Sequence, residues 1–185
     1  MAGTLPKLFI RPRSEPCVST TVLEDEMYLV CRLDYPLRKK SPENLSDVIA
    51  ERFGTEWQSY RVVADLSDFC FSKYHGEDDY RLDETYCYTN PKRWRRVSSL
   101  ASPPRSELVF FEFDLPGEKI HTRTLDSDFE IVFDEEKRRV AFAFSDVPED
   151  CRTYAVADNL LIQCDENLSL RQIIFCDLAF RGDDR

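Results

Sequence analysis

Apolar positions along this chain fall mostly into short runs of strand length. In "EDEMYLVCRLDYP", Met27 to Leu33 is an aliphatic and aromatic run closed by Pro36, which predicts a strand. "QSYRVVADLSDFCFSKYHG" predicts two strands meeting near Ser67-Asp68, and Tyr60 to Leu66 has the valine and tyrosine content of a buried one. "EDDYRLDETYCYTNP" predicts an acidic loop with a short strand at Thr85 to Thr89. "SELVFFEFDLPGEK" predicts a strong strand from Glu107 to Asp114, ended by Pro116-Gly117. Four more segments of strand character follow: "DFEIVFD", "RRVAFAFSD", "TYAVADNLLIQCD" and "SLRQIIFCDLAF".

One stretch has a different period. In "KSPENLSDVIAERFGTEW", Ser41 suits an N-cap, Pro42 suits the first helical position and Gly54 closes the run. Leu45, Val48, Ile49, Arg52 and Phe53 recur at helical spacing. This predicts one amphipathic helix over about 43–53. The expected fold class is therefore α+β and β-rich: a mostly antiparallel sheet, the single helix, and a C-terminal β-meander. The organisation expected is an extended segment at 1–22, a mixed portion at 23–115 with a basic loop at 90–106, and an antiparallel meander at 126–180, packed as one globular unit.

Within the last third, "FEIVFDEEKRRVAFAFSD" places Phe133-Asp134 before an acidic turn and ends a strand at Phe144-Ser145-Asp146. "NLLIQCDENLSLRQIIFCDLA" sets Asp165-Glu166 at a second hairpin. On these residues, 129–179 resembles the small domain-of-unknown-function family 2283. The resemblance implies a compact β-meander, with no chemistry and no catalytic residue to carry over. Where that pattern has turn glycines after the acidic pair, this chain has Asn167-Leu168.

Composition narrows the functional classes. The chain has 185 residues, 42% hydrophobic and 12% aromatic, enough for a real core, and its 5 glycines and 2 methionines against 13 phenylalanines favour aromatic-packed strands. A formal charge of −10 repels phosphate backbones and anionic membranes, so any nucleic-acid contact is expected to be local. No apolar stretch approaches the roughly 20 residues of a membrane helix. Arg11, Pro12 and Arg13 interrupt the first apolar run, so the expectation is an intracellular chain, cytoplasmic or nuclear, without membrane contact.

The seven cysteines lie far apart with no CxxC pair, which argues against disulfides and zinc and predicts reduced, buried thiols. The two histidines, His75 and His121, limit metal and nucleophilic chemistry. His75 stands beside Glu77, Asp78 and Asp79 in what reads as a solvated acidic loop. No phosphate-cradling, dinucleotide or hydrolase motif is present. No cofactor, metal or catalytic residue is expected.

The densest signal is "NPKRWRRVSSLASPPR". Lys92, Arg93, Arg95 and Arg96 are four cations in five residues around Trp94, the composition of a base-stacking grip. Ser98 follows Arg95-Arg96 at the spacing of basophilic kinase sites, and Ser102-Pro103 resembles a proline-directed site, so phosphate there would cancel local positive charge. Lys92, Arg93, Trp94, Arg95, Arg96, Ser98 and Ser102 are thus the candidate partner or regulatory residues.

The leading functional expectation is a non-catalytic protein–protein interaction subunit or adaptor. It would meet another protein through a sheet edge or a hydrophobic patch with an acidic rim, or a second copy of itself through a sheet edge. The alternatives are a nucleic-acid-associated accessory protein using residues 92–96, and an enzyme whose site is assembled from distant residues around His121 or His75.

Overall fold

The structure, a computed structural model, describes residues 5–36, 57–74, 77–100, 107–117, 121–148 and 150–181. Their strands are β1 (Leu8–Pro12), β2 (Val18–Glu24), β3 (Tyr28–Asp34), β4 (Trp57–Ala64), β5 (Ser67–Tyr74), β6 (Arg81–Tyr88), β7 (Arg95–Val97), β8 (Glu107–Phe113), β9 (His121–Thr124), β10 (Glu130–Asp134), β11 (Arg139–Ala143), β12 (Arg152–Ala157), β13 (Leu160–Cys164), β14 (Leu170–Phe175) and β15 (Ala179–Phe180).

They form two sheets. One has eight strands in the order β1-β8-β12-β13-β14-β11-β10-β7, and the other seven in the order β15-β2-β3-β6-β5-β4-β9. Most neighbours are antiparallel, with parallel joints at β7–β10, β8–β12, β2–β15 and β4–β9. Residues 126–180 supply β10 to β14 to the first sheet and β15 to the second.

The α+β expectation is corrected. Among the described residues there is no helix of seven or more residues, and the architecture is all-β. The physical reason lies in the core. Each sheet turns one apolar face inward and the two faces cover each other, so no helical layer is needed to bury them. The predicted helix at 43–53 lies outside the described residues.

Phenylalanines join the sheets. Phe69 of β5 packs edge-on against Phe113 of β8 at 5.1 Å and against Phe142 of β11 at 6.4 Å, and Phe71 meets Phe111 at 5.8 Å. All five are buried, and each such side chain contributes about 1.5–3 kcal/mol through removal from water. At one end Arg13 and Arg81 stack over Tyr35 and Phe110, and Glu15 and Glu77 neutralise Arg81 at 2.7 and 3.2 Å.

Two local features position the surfaces described next. In β6 the pairing with β5 slips between Cys70–Glu84 and Phe71–Leu82, leaving Asp83 as an extra residue that accepts a hydrogen bond from the Ser72 hydroxyl. This bulge reverses the inside–outside alternation, so Thr85 and Cys87 point inward while Tyr86 and Tyr88 point out. The β2–β3 hairpin turns through Asp25 and Glu26, both with left-handed backbone at φ of 50° and 56°.

Candidate interaction surfaces

The basic knot is an edge structure built onto the sandwich. The Asn90 side chain accepts a hydrogen bond from the Lys92 amide at 3.0 Å and caps a 3₁₀ turn over Pro91–Arg93, with proline at the position that needs no donor. Trp94 leaves the turn in extended conformation, and β7 then pairs in parallel with β10, setting Arg95 opposite Val132 and Arg96 opposite Phe133.

Trp94 is buried. Its indole N–H donates to the Thr89 hydroxyl at 2.7 Å, and its ring meets Phe133 edge-on at 5.4 Å. Arg95 pairs with Glu130 at 2.7 Å. Arg96 pairs with Glu135, and its guanidinium lies 5.7 Å from the centre of the Phe133 ring. Lys92 and Arg93 stay exposed and have no carboxylate in ionic contact among the described residues.

Ser98 is exposed just past β7. Beyond it the chain is pinned by Asp134, a fully buried carboxylate that accepts from the amides of Leu100 at 2.8 Å and Lys137 at 3.1 Å. Burial works against its charge, but these two amides, with Lys137 and Arg139 nearby, outweigh that and hold its carboxyl below the ordinary value. The same anchoring lays Leu100 over Val132, Ala141 and Ile174 on the outer face of the eight-stranded sheet. Ser102 and His75 lie outside the described residues, and His121 opens β9, in register with Tyr60 of β4.

Between β7, the β10–β11 turn and β15 runs a cleft of about 380 Å³, lined by Pro91, Trp94, Arg96, Phe133, Glu135, Arg138 and Phe180. Sequence reasoning found Trp94 and Arg96 but missed the other walls. Phe133, Arg138 and Phe180 reach the same place only through the parallel pairing of β7 with β10 and the passage of β15 to the other sheet.

A second surface covers the outer face of the seven-stranded sheet. Register aligns Tyr28 with Tyr88, and Val30 with Tyr86 and Asp68, while Arg32 stands opposite Glu84. Tyr28 and Tyr88 meet edge-on at 5.5 Å, and the Tyr88 hydroxyl points at the Met27 sulfur, 3.9 Å away. Leu66, at the β4–β5 turn, accepts the Tyr88 amide through its carbonyl at 3.0 Å and exposes 58% of its surface. Met27, Tyr28, Leu66, Tyr86 and Tyr88 are exposed large apolar side chains grouped on this face, and Val18 is exposed at the far end of β2.

Carboxylates ring the patch. Glu24, Glu84 and Asp68 are met by Arg32, Arg61 and Arg181 at 2.8–3.2 Å, whereas Asp25, Glu26 and Asp65 at the two turns have no cation in ionic contact among the described residues. A hydrogen bond to Glu84, and then partial burial, push the Tyr86 phenol above its ordinary value, so the ring keeps its proton and presents a neutral polar tip. The sequence signal for this face was the Glu84-Tyr86-Tyr88 alternation in "DETYCYTN", hidden by the bulge at Asp83.

The seven cysteines are free thiols. Burial pushes Cys31 and Cys164 up to about 12 and Cys87 up to about 11, so they behave as small core hydrophobes. No group of His, Cys, Asp and Glu arranged to hold a metal occurs among the described residues, nor any helix long and apolar enough to cross a membrane.

The fold and its surfaces define a two-sheet β-sandwich that carries one acidic-rimmed and one basic-rimmed apolar site. No family model matches the chain, and no curated protein matches it.

Proposed function

We propose that this protein is a non-catalytic interaction module that docks a basic, partly apolar surface of another protein on the tyrosine face of its seven-stranded sheet. The observation that carries the reading is the contiguous exposure of Met27, Tyr28, Leu66, Tyr86 and Tyr88 inside a ring of carboxylates. Aromatic residues and methionine are the side chains most enriched at protein interfaces. A rim of one sign steers a partner of the other.

A sheet edge is the weaker docking surface. The outermost described strands are β1, which ends in Pro12, the three-residue β7, the two-residue β15 and the four-residue β9. Short edges and an edge proline blunt the template that an added strand needs. This favours a heterologous partner over self-association through the edges.

The test is affinity capture from native cells with nuclease present, comparing the parent chain with Tyr86→Lys/Tyr88→Lys. Both rings are exposed, so the variant keeps the core intact, and near-ultraviolet circular dichroism verifies this. The expected result is a stoichiometric protein retained by the parent, lost with the variant and released by salt. Retention undiminished by the two lysines, or disappearance of the captured protein on nuclease treatment, overturns the proposal. The nuclease result would turn attention to a nucleic-acid role for residues 92–96.

A further inference from the structure

We infer a second binding site, independent of the tyrosine face: the cleft between β7, the β10–β11 turn and β15 takes an acidic peptide segment that carries a bulky apolar side chain. The cleft's shape, its charge and the geometry of its cations all point to this class of occupant.

Its walls are Pro91, Trp94, Phe133 and Phe180, with Phe133 set edge-on to Trp94 at 5.4 Å and to Phe180 at 6.4 Å. At about 380 Å³ the cleft lies near the lower end of ligand-pocket sizes, about 300–1,000 Å³, suited to one or two side chains rather than a large cofactor. Phe180 remains 37% exposed at the mouth, apolar surface left for a partner to cover.

The charge of the cleft opposes that of the whole molecule. Arg96 and Arg138 line it, and Lys92 and Arg93 stand on the 3₁₀ turn beside Pro91. Glu135 answers Arg96. Arg138, Lys92 and Arg93 have no carboxylate in ionic contact among the described residues, so the site carries a local positive excess on a chain of net charge −10.

The two lining guanidiniums lie 5.7 Å from the ring centres beneath them, Arg96 over Phe133 and Arg138 over Phe180. Stacking uses the flat face of a guanidinium and leaves its N–H edge for a carboxylate; Arg96 spends part of that edge on Glu135, and the edge of Arg138 is the one left to take a carboxylate in two parallel hydrogen bonds.

A single-stranded nucleic acid fits less well. Trp94, the ring that would stack a base, is buried against Phe133 with its N–H committed to Thr89, so its face is not open to a base. A short peptide brings few charges into the field of an acidic protein, whereas a polyphosphate backbone brings one at every step.

The experiment selects a displayed library of short random peptides on the full chain and titrates the winners, and separately labelled oligothymidylate, against parent and variants. Arg138→Gly is the informative variant. Arg138 has left-handed backbone at φ 51°, so glycine removes the guanidinium from a position that glycine favours, without straining the turn. Arg93→Glu is the second variant, an exposed reversal on the 3₁₀ turn.

The expected outcome is enrichment of sequences that combine Asp or Glu with Phe, Leu or Trp. Their affinity falls by about tenfold or more in each variant, and the charge-neutral Tyr86→Ala leaves it unchanged, which separates this site from the tyrosine face. The inference is overturned if no peptide is enriched, if the winners are basic or uncharged, if they bind Arg138→Gly as tightly as the parent, or if oligothymidylate outcompetes them.

Discussion

Arg138 and Leu168 show how single residues hold turns that glycine would hold more easily. Both have left-handed backbone, at φ of 51° and 58°, where a side chain costs about 1–2 kcal/mol. Leu168 stands in the turn between β13 and β14. Asp165 compensates by accepting the amides of Asn167 at 2.9 Å and Ser169 at 3.0 Å and the Arg171 guanidinium at 2.9 Å. Because Arg138 is exposed, Arg138→Gly should raise stability by about 1 kcal/mol, seen as a higher thermal midpoint.

Asp134 is the residue whose charge the fold uses most directly. Its carboxyl is held below the ordinary value, so its contribution is fully present above the unfolded carboxylate pKa near 4 and is lost as pH falls through the lower folded value. Asp134→Asn should cost about 1–3 kcal/mol at neutral pH, and chemical denaturation at decreasing pH should show the gap to the parent closing below about pH 4. A gap that stayed constant into acid would mean that the loss is one of packing alone. Thiol accessibility is a second residue-level readout. In the native state the half-buried Cys70, Cys151 and Cys176 should react with a maleimide well before Cys31, Cys87 and Cys164, which need unfolding to expose a thiolate.

At the scale of elements, Trp94 is what fastens the short edge strand β7 to the sandwich. Trp94→Ala should destabilise by about 3–5 kcal/mol, while Trp94→Phe retains the contact with Phe133 and loses mainly the hydrogen bond to Thr89, about 1 kcal/mol. Urea unfolding of the two variants checks the ordering, and equal losses would show that the hydrogen bond dominates. This element also marks where sequence reading stops. The runs "MYLVCRL", "ELVFFEF" and "RQIIF" were legible as strands because apolar content and terminating residues are local properties. The role of Trp94 was not, since nothing local says that Phe133, some forty positions later, will pair beside it in parallel. The tyrosine face escaped for a related reason. Strict alternation from the buried Leu82 would turn residues 84, 86 and 88 inward, and only the bulge at Asp83, visible as a register slip against β5, turns them out. The α+β class came from one helical period at 43–53, and two sheets that bury each other's phenylalanines outweigh it.

For the whole molecule, the two surfaces sit close together. β6 runs from Tyr88 through Thr89 into the 3₁₀ turn, the Thr89 amide donates to the Met27 carbonyl at 2.8 Å, and Arg181, just past β15, pairs with Glu24 on the rim of the tyrosine face. An acidic chain thus presents, near one end, an aromatic face ringed by carboxylates and an aromatic cleft ringed by cations. For a partner docked on the tyrosine face, charge and aromatic surface govern different rate constants. Rim charges act at long range, over a Debye length of about 10 Å at 0.1 M salt, so they set how often the partner arrives. Buried rings act only on contact, so they set how long it stays. With a partner in hand, Asp25→Lys/Glu26→Lys should slow association and flatten its salt dependence while leaving dissociation nearly unchanged. Tyr88→Ala should speed dissociation and leave association and its salt dependence intact. Surface plasmon resonance across a salt series separates the two, and an association rate indifferent to Asp25→Lys/Glu26→Lys would remove the acidic rim from the recognition mechanism and leave the aromatic patch to act alone.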